Sequence, residues 1–148
     1  MRWLAGIPLV LYVPWIEWGW VGTKLFPTTL VAELLGTLLC VFGVLFAMWA
    51  RETLGRNWSG NVVIQENHKL IQQGPYRFAR HPIYTGGIFA IFGSAIVLGG
   101  LWGYMIAIIS FFGLYQKAKR EEKFLAQQFP NEYQQYKKRV KSLIPYIF

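Results

Sequence analysis

His68 and His81 are the only histidines in this sequence, and both lie in one stretch, 57–84, which reads NWSGNVVIQENHKLIQQGPYRFARHPIY. Aspartate is absent and Cys40 is the single cysteine. An internal disulfide and a thiolate metal cluster are excluded. With no further His or Cys near the two imidazoles, a histidine metal site is not expected either. Acid–base chemistry therefore falls to His, Glu, Arg, Lys or Tyr. A second polar concentration is Lys117–Glu122, KAKREE. Brought together, Arg80, His81, Lys117, Glu121 and Glu122 supply two cations, a titratable imidazole and two carboxylates. Such a set suits a polar, charged ligand and the orientation of an anionic or amine nucleophile. Taken singly, each has a plainer reading: a basic flank beside a membrane, a solvated helix charge, or an interfacial anchor for Tyr76 and Tyr84.

Hydropathy sets the elements that must carry these residues. The 148 residues are 54% apolar, 18% aromatic and 15% charged, with a net charge of +8. A soluble domain carries about 25% charged residues, and a chain this apolar is not disordered. The basic residues cluster between long uncharged runs, so a membrane is expected as the partner and nucleic acid is not. No charge occurs between His81 and Lys117, and Gly99-Gly100 divides that run. This predicts a hairpin of two short helices, 83–98 and 101–115. Gly86, Gly87, Gly93 and Ser94 offer small surfaces for close packing. Residues 28–50 form a further span, with Glu33 as its one charge. Residues 3–23 hold Pro8, Pro14, Glu17 and four tryptophans (Trp3, Trp15, Trp18 and Trp20), and read as a kinked span or an interfacial helix. No small-residue cleavage site follows, so a cleaved signal peptide is not expected.

Charge then orients the spans. Apart from Arg2 and Lys24, every Lys and Arg lies in 51–81 or from Lys117 onward. The hairpin returns these two basic regions to one face, and the positive-inside rule makes that face cytoplasmic. The expected fold is an all-α polytopic membrane protein, a single domain of four spans with both termini cytoplasmic. Residues 118–140 are expected to form amphipathic cytoplasmic helices, with Phe124, Leu125 and Phe129 on one face, a break at Pro130, and a second stripe of Tyr133, Tyr136 and Val140. Arg80-His81 enters one hairpin helix and Lys117 leaves the other, so topology alone gathers the candidate residues at one mouth of the bundle.

Gly74-Pro75-Tyr76, Arg80-His81-Pro82-Ile83-Tyr84, Glu121-Glu122, Phe129 and Glu132-Tyr133, with their spacing, resemble the isoprenylcysteine carboxyl methyltransferase family, to which membrane phospholipid methyltransferases are related. The resemblance covers about 57–145. It implies S-adenosylmethionine bound within a helical membrane fold, in keeping with the absence of a GxGxxG loop. It places Gln65, His68, Lys69, Leu70, Ile71, Tyr76, His81, Pro82, Ile83, Tyr84 and Glu121 at the cofactor, with Glu122 beside them. Arg80, His81 and Lys117 become the catalytic candidates. Lys117 stands where the family has arginine, and keeps the charge without the bidentate fork; Phe129-Pro130 stands where the family has Phe-Gly. The implied function is methyl transfer to a lipophilic or lipid-modified substrate, a carboxylate first and a phospholipid amine second. A carboxylate is already ionised at pH 7 and needs no base, whereas an amine needs a proton acceptor such as His81 or a Glu. The small size and short amino-terminal half suggest a prokaryotic inner membrane. A non-enzymatic scaffold would explain the topology but not the joint occurrence of both motifs. A transporter subunit needs polar groups at mid-membrane, and the last two spans hold only Ser, Thr, Tyr and Gln.

Overall fold

The computed structural model describes residues 29–55 and 70–144. The span expected at 3–23 and the candidate residues Gln65, His68 and Lys69 lie outside them. The described residues form four α-helices: α1 (Leu30–Leu54), α2 (Pro82–Leu98), α3 (Leu101–Gln128) and α4 (Pro130–Arg139), with one 3-10 turn at Gly74–Arg77.

Helix α1 begins at Thr29, whose side-chain oxygen accepts from Ala32 N at 3.2 Å, an N-cap. Glu33 in the first turn complements the helix dipole. The helix ends where Gly55 takes φ 53°. It runs four residues beyond the expected 28–50 stretch because Arg51, Glu52, Thr53 and Leu54 carry no breaker. By length and composition α1 can cross a membrane. Leu34, Leu38, Leu45 and Trp49 are exposed along it, whereas Gly36, Gly43 and Ala50, seven residues apart, are buried.

Helix α2 matches that line with its own. Gly36 faces Gly93 and Gly43 faces Gly86, in antiparallel register. A Cβ added at Gly43 would stand 2.5 Å from Gly86 O, and one at Gly36 would stand 2.8 Å from Gly93 O. The backbones therefore touch, which gives close dispersion contact where lipid offers no hydrophobic gain. Pro82 starts α2 at its first position, where its missing N–H has no role. Gly99 ends it at φ 65°.

The Gly99-Gly100 turn returns the chain into α3 as expected, but α3 does not stop near residue 115. It continues unbroken to Gln128. Gln116-Lys117-Ala118 and the residues after them are good helix formers with no glycine or proline, so nothing ends the helix before Pro130 opens α4. The stretch expected as a separate amphipathic helix from 118 is the continuation of the apolar helix that begins at Leu101. Glu121 and Glu122 thus ride on the same rigid rod as the apolar segment. Ile88 of α2, Ala118 of α3 and Leu143 beyond α4 form the buried cluster between these elements, flanked by Tyr84, Phe92 and Leu114.

Gly43→Leu is expected to separate α1 from α2 and cost at least about 1–3 kcal/mol, read as a lower Tm in lipid nanodiscs. Gly113, with nothing within 4 Å of an added Cβ, is the control: Gly113→Ala should raise stability by up to about 1 kcal/mol through helix propensity.

Candidate active site

The chain approaches α2 through a tightly held corner. Gly74 takes φ 60°, a conformation that favours glycine. An added Cβ would also meet Thr53 Oγ1 of α1 at 3.0 Å. Pro75 and Tyr76 are buried in the 3-10 turn, and Tyr136 Oη of α4 donates to Tyr76 O at 2.6 Å. Ala79 then pairs in parallel with Lys141. Arg80 N donates to Lys141 O at 2.9 Å and His81 N to Ser142 O at 3.1 Å. His81 therefore reaches the N-terminus of α2 with its backbone fixed on both sides, since its own carbonyl accepts from Thr85 N at 3.0 Å.

Side chains at this corner sort into two layers. In the inner layer, Glu122 is 5% exposed. Its Oε1 accepts from Arg80 Nη2 at 2.6 Å, Arg80 Nε at 3.2 Å and Ser142 Oγ at 2.7 Å. Arg80 Nη1 donates to Val140 O at 2.6 Å and Lys137 O at 3.3 Å, at the C-terminal end of α4. In the outer layer, Glu121 is about a quarter exposed and accepts a short hydrogen bond from Tyr84 Oη. Lys117 Nζ, one turn earlier on α3, sits 5.4 Å above the Tyr84 ring, within cation–π range.

His81 joins the layers. Its ring stacks on Tyr84 at 5.6 Å between centroids, 9° from parallel. Nδ1 lies 3.5 Å from Glu121 Oε2 and Nε2 lies 3.5 Å from Glu122 Oε1. Nε2 has no hydrogen-bond partner; at that distance it makes an ion contact with Glu122 rather than a good hydrogen bond. Burial disfavours the imidazolium, but the flanking Glu121 and Glu122 outweigh it and raise the His81 pKa. Burial likewise opposes ionisation of Glu122, yet His81, Ser142 and Arg80 hold its pKa far below the usual carboxylate range. Against its own burial, Glu121 is lowered by His81 and Tyr84, with Lys117 contributing charge. Burial, reinforced by the Glu121 charge, pushes the Tyr76 phenol up. The corner thus sets the His81 imidazole between two carboxylates that favour its protonated form.

Among the candidates, Tyr76, Arg80, His81, Pro82, Tyr84, Lys117, Glu121 and Glu122 meet at this end of the α2–α3 hairpin. Leu70, Ile71 and Ile83 are half-buried on the approach to it or in the first turn of α2. Arg80 does not stand at the mouth beside Lys117: four of its five N–H groups face Glu122 and the end of α4. Ser142 and Thr85 are not singled out by the sequence, and Tyr136 is read there only as part of an amphipathic stripe. Ser142 lies in KSLIPYIF, which shows no motif, and Thr85 reads as one more residue of a span.

A sequence profile of the phospholipid methyltransferase family matches residues 31–132. The chain belongs to that family. It is 33% identical to the protein-S-isoprenylcysteine O-methyltransferase of Dictyostelium discoideum, over 90% of this chain and 56% of the relative. It is 32% identical to the Saccharomyces cerevisiae enzyme of the same name, over 84% of this chain and 54% of that one. The chain therefore spans about half the length of these relatives. Its fold matches the structure of a eukaryotic intramembrane Ras methyltransferase, an isoprenylcysteine carboxyl methyltransferase, with a TM-score of 0.75 and 24% identity over 99% of this chain and 55% of that one.

Two of the shifted groups, Glu122 and His81, give the corner opposite pH signs. Glu122 is lowered, so its contribution is full above the ordinary carboxylate pKa and fades as pH falls through and below that range. His81 is raised, so its contribution is full below about pH 6.5 and is lost as pH rises through the raised value. Thermal unfolding against pH should fall on both sides. Glu122→Gln should flatten the acid limb and His81→Asn the alkaline one. Arg80→Met should cost about 3–5 kcal/mol by stranding a buried carboxylate, seen as a large fall in Tm at pH 7.

Proposed function

We propose that the protein is an integral membrane methyltransferase that uses S-adenosylmethionine to methylate a carboxylate on a lipophilic substrate at the cytoplasmic face. The observation that carries the choice of nucleophile is the placement of His81 between two carboxylates. An amine acceptor arrives as an ammonium and needs a base with a pKa near neutrality. Both ring nitrogens of His81 face glutamates, which favour its protonated form, and both glutamates are held as weaker bases than usual. A carboxylate nucleophile needs no proton removed. The names of the relatives, isoprenylcysteine O-methyltransferases, point the same way. A prenylated cysteine carboxylate is the substrate chemistry to test first, with a phospholipid amine as the rival that the family description suggests.

The residues present fit the cofactor. Glu121 is the carboxylate of the pair left partly open, and it suits an ammonium or ribose hydroxyl. Tyr84 and His81 form a stacked aromatic floor beside it. Tyr76, Leu70, Ile71 and Ile83 supply apolar walls, with Gln65, His68, Lys69 and Pro82 completing the proposed set. When bound, the cofactor supplies an electrophilic methyl on a sulfonium. The chain's own task is orientation, since in-line displacement depends on alignment. Lys117 holds the nucleophilic carboxylate as a point charge, more loosely than an arginine fork. Arg80 and Glu122 act behind it, keeping His81 and α3 in register. The apolar helix faces admit a lipid sideways, while the polar cofactor reaches the corner from water. Four spans with both termini cytoplasmic, in a prokaryotic inner membrane, complete this reading.

Calorimetric titration of S-adenosylhomocysteine into the protein in nanodiscs tests it. Saturable binding is expected, with at least a tenfold loss, about 1.4 kcal/mol, in Glu121→Ala. Equal binding by the variant, or none by the folded wild type, sinks the proposed site. Methyl transfer to a prenylcysteine analogue and not to phosphatidylethanolamine is the expected outcome for the acceptor.

A further inference from the structure

Beyond α4 the chain crosses beneath the corner as a bent strap, 140–144. Four consecutive carbonyls, those of Val140, Lys141, Ser142 and Leu143, accept from Arg80 Nη1, Arg80 N, His81 N and Thr85 Oγ1 at 2.6, 2.9, 3.1 and 2.5 Å. Leu143 is fully buried against Ile88 and Ala118. Ser142 is 5% exposed and aims its hydroxyl at Glu122 Oε1.

That hydroxyl is not needed to neutralise Glu122, because Arg80 already donates twice to the same oxygen. It does crowd that oxygen with a third donor. His81 Nε2, which approaches the same atom, is left at 3.5 Å with no hydrogen bond although it is buried. The other ring nitrogen, Nδ1, faces Glu121, the carboxylate that opens outward. We propose that Ser142 is a positioning residue: by occupying Glu122 Oε1 it keeps the His81 imidazole from collapsing onto Glu122 and leaves it directed at Glu121 and Tyr84. The catalytic consequence rests on the methyltransferase reading; the placement of His81 does not.

The groups around His81 are Glu121, Glu122 and Lys117 on α3, Tyr84 on α2, Arg80 and Tyr76 on the approach, and Tyr133 on α4 behind the Arg80–Glu122 pair. Loss of the Ser142 hydroxyl changes none of their charges. It frees a lone pair on Glu122 for His81 Nε2, and a stronger bond to a carboxylate favours the imidazolium.

The test is a pH titration of the full chain, labelled with 15N-histidine, by NMR in detergent micelles. With only His68 and His81 present, a His68→Gln sample assigns the signals. Ser142→Ala should move the His81 midpoint upward by about 0.5 pH unit or more. It should also lower kcat several-fold with little change in KM for the acceptor. Ser142→Thr, which keeps the hydroxyl, should titrate like the wild type. Leu143→Ala, which loosens the same strap without touching the carboxylate, should lower Tm and leave the midpoint in place. Should the alanine variant not fold, Ser142→Cys, a much weaker donor, is expected to shift the midpoint in the same direction. An unmoved midpoint in the folded serine variant, or an equal shift in Leu143→Ala, overturns the proposal by showing a purely structural strap. A shifted midpoint in a protein that neither binds S-adenosylhomocysteine nor transfers methyl leaves the positioning assignment standing and removes the transferase reading.

Discussion

A carboxylate as buried as Glu122 must be paired, because an unpaired charge in that position costs several kcal/mol. Its partner, Arg80, is equally buried, and each makes the other tolerable. The guanidinium does more than neutralise. Its remaining N–H groups reach carbonyls at the end of α4, so one ion pair fixes the turn before α2, the middle of α3, the end of α4 and the strap beyond it. Glu122 on a rigid helix then dictates where its neighbour Glu121 lies, about 100° further round the helix and closer to solvent. An inner carboxylate that anchors and an outer one left partly open is a division that two adjacent residues of one type acquire through burial alone.

The membrane-facing part of the described chain serves this corner. The glycine-to-glycine contact of α1 and α2 brings the backbones together over much of their length, and so sets where the N-terminus of α2 stands against Thr53 and Gly74. The continuous α3 transmits that position across the hairpin to Glu121 and Lys117. A methyl-transfer site needs alignment more than it needs proton traffic, and this construction favours rigidity: close backbone packing on one side, an unbroken helix on the other, and ionic groups held in place by their neighbours. An imidazole whose two nitrogens face carboxylates contributes position more than a free base, which is the physical ground for preferring an acceptor that arrives already ionised.

The hairpin was plain in the sequence because apolar length and the Gly99-Gly100 break are local properties. Helix α2 begins one residue before the expected start, and its end at Leu98 was read correctly. The gathering of Arg80, His81, Lys117, Glu121 and Glu122 was also legible, since an antiparallel hairpin must bring its two open ends together. The boundary at 115 was not. A fall in hydropathy was read as an end of helix, although hydropathy reports the solvent and helix formers such as Lys, Arg and Glu report the backbone.

Residue types and spacing by themselves determined the helical class, the apolar helices near 28–50 and 83–98, the hairpin turn and the polar residues that meet at its open end, all of which follow from composition and near-neighbour periodicity. Tertiary structure alone decided which glutamate is interior and which is open, that Arg80 is engaged inward, and that Ser142 and Thr85 belong to the corner. Those outcomes depend on hydrogen bonds between residues tens of positions apart, Arg80 with Glu122 and Val140, Thr85 with Leu143, Tyr76 with Tyr136. No local pattern records such pairings, because they exist only once α2, α3, α4 and the strap have closed on one another.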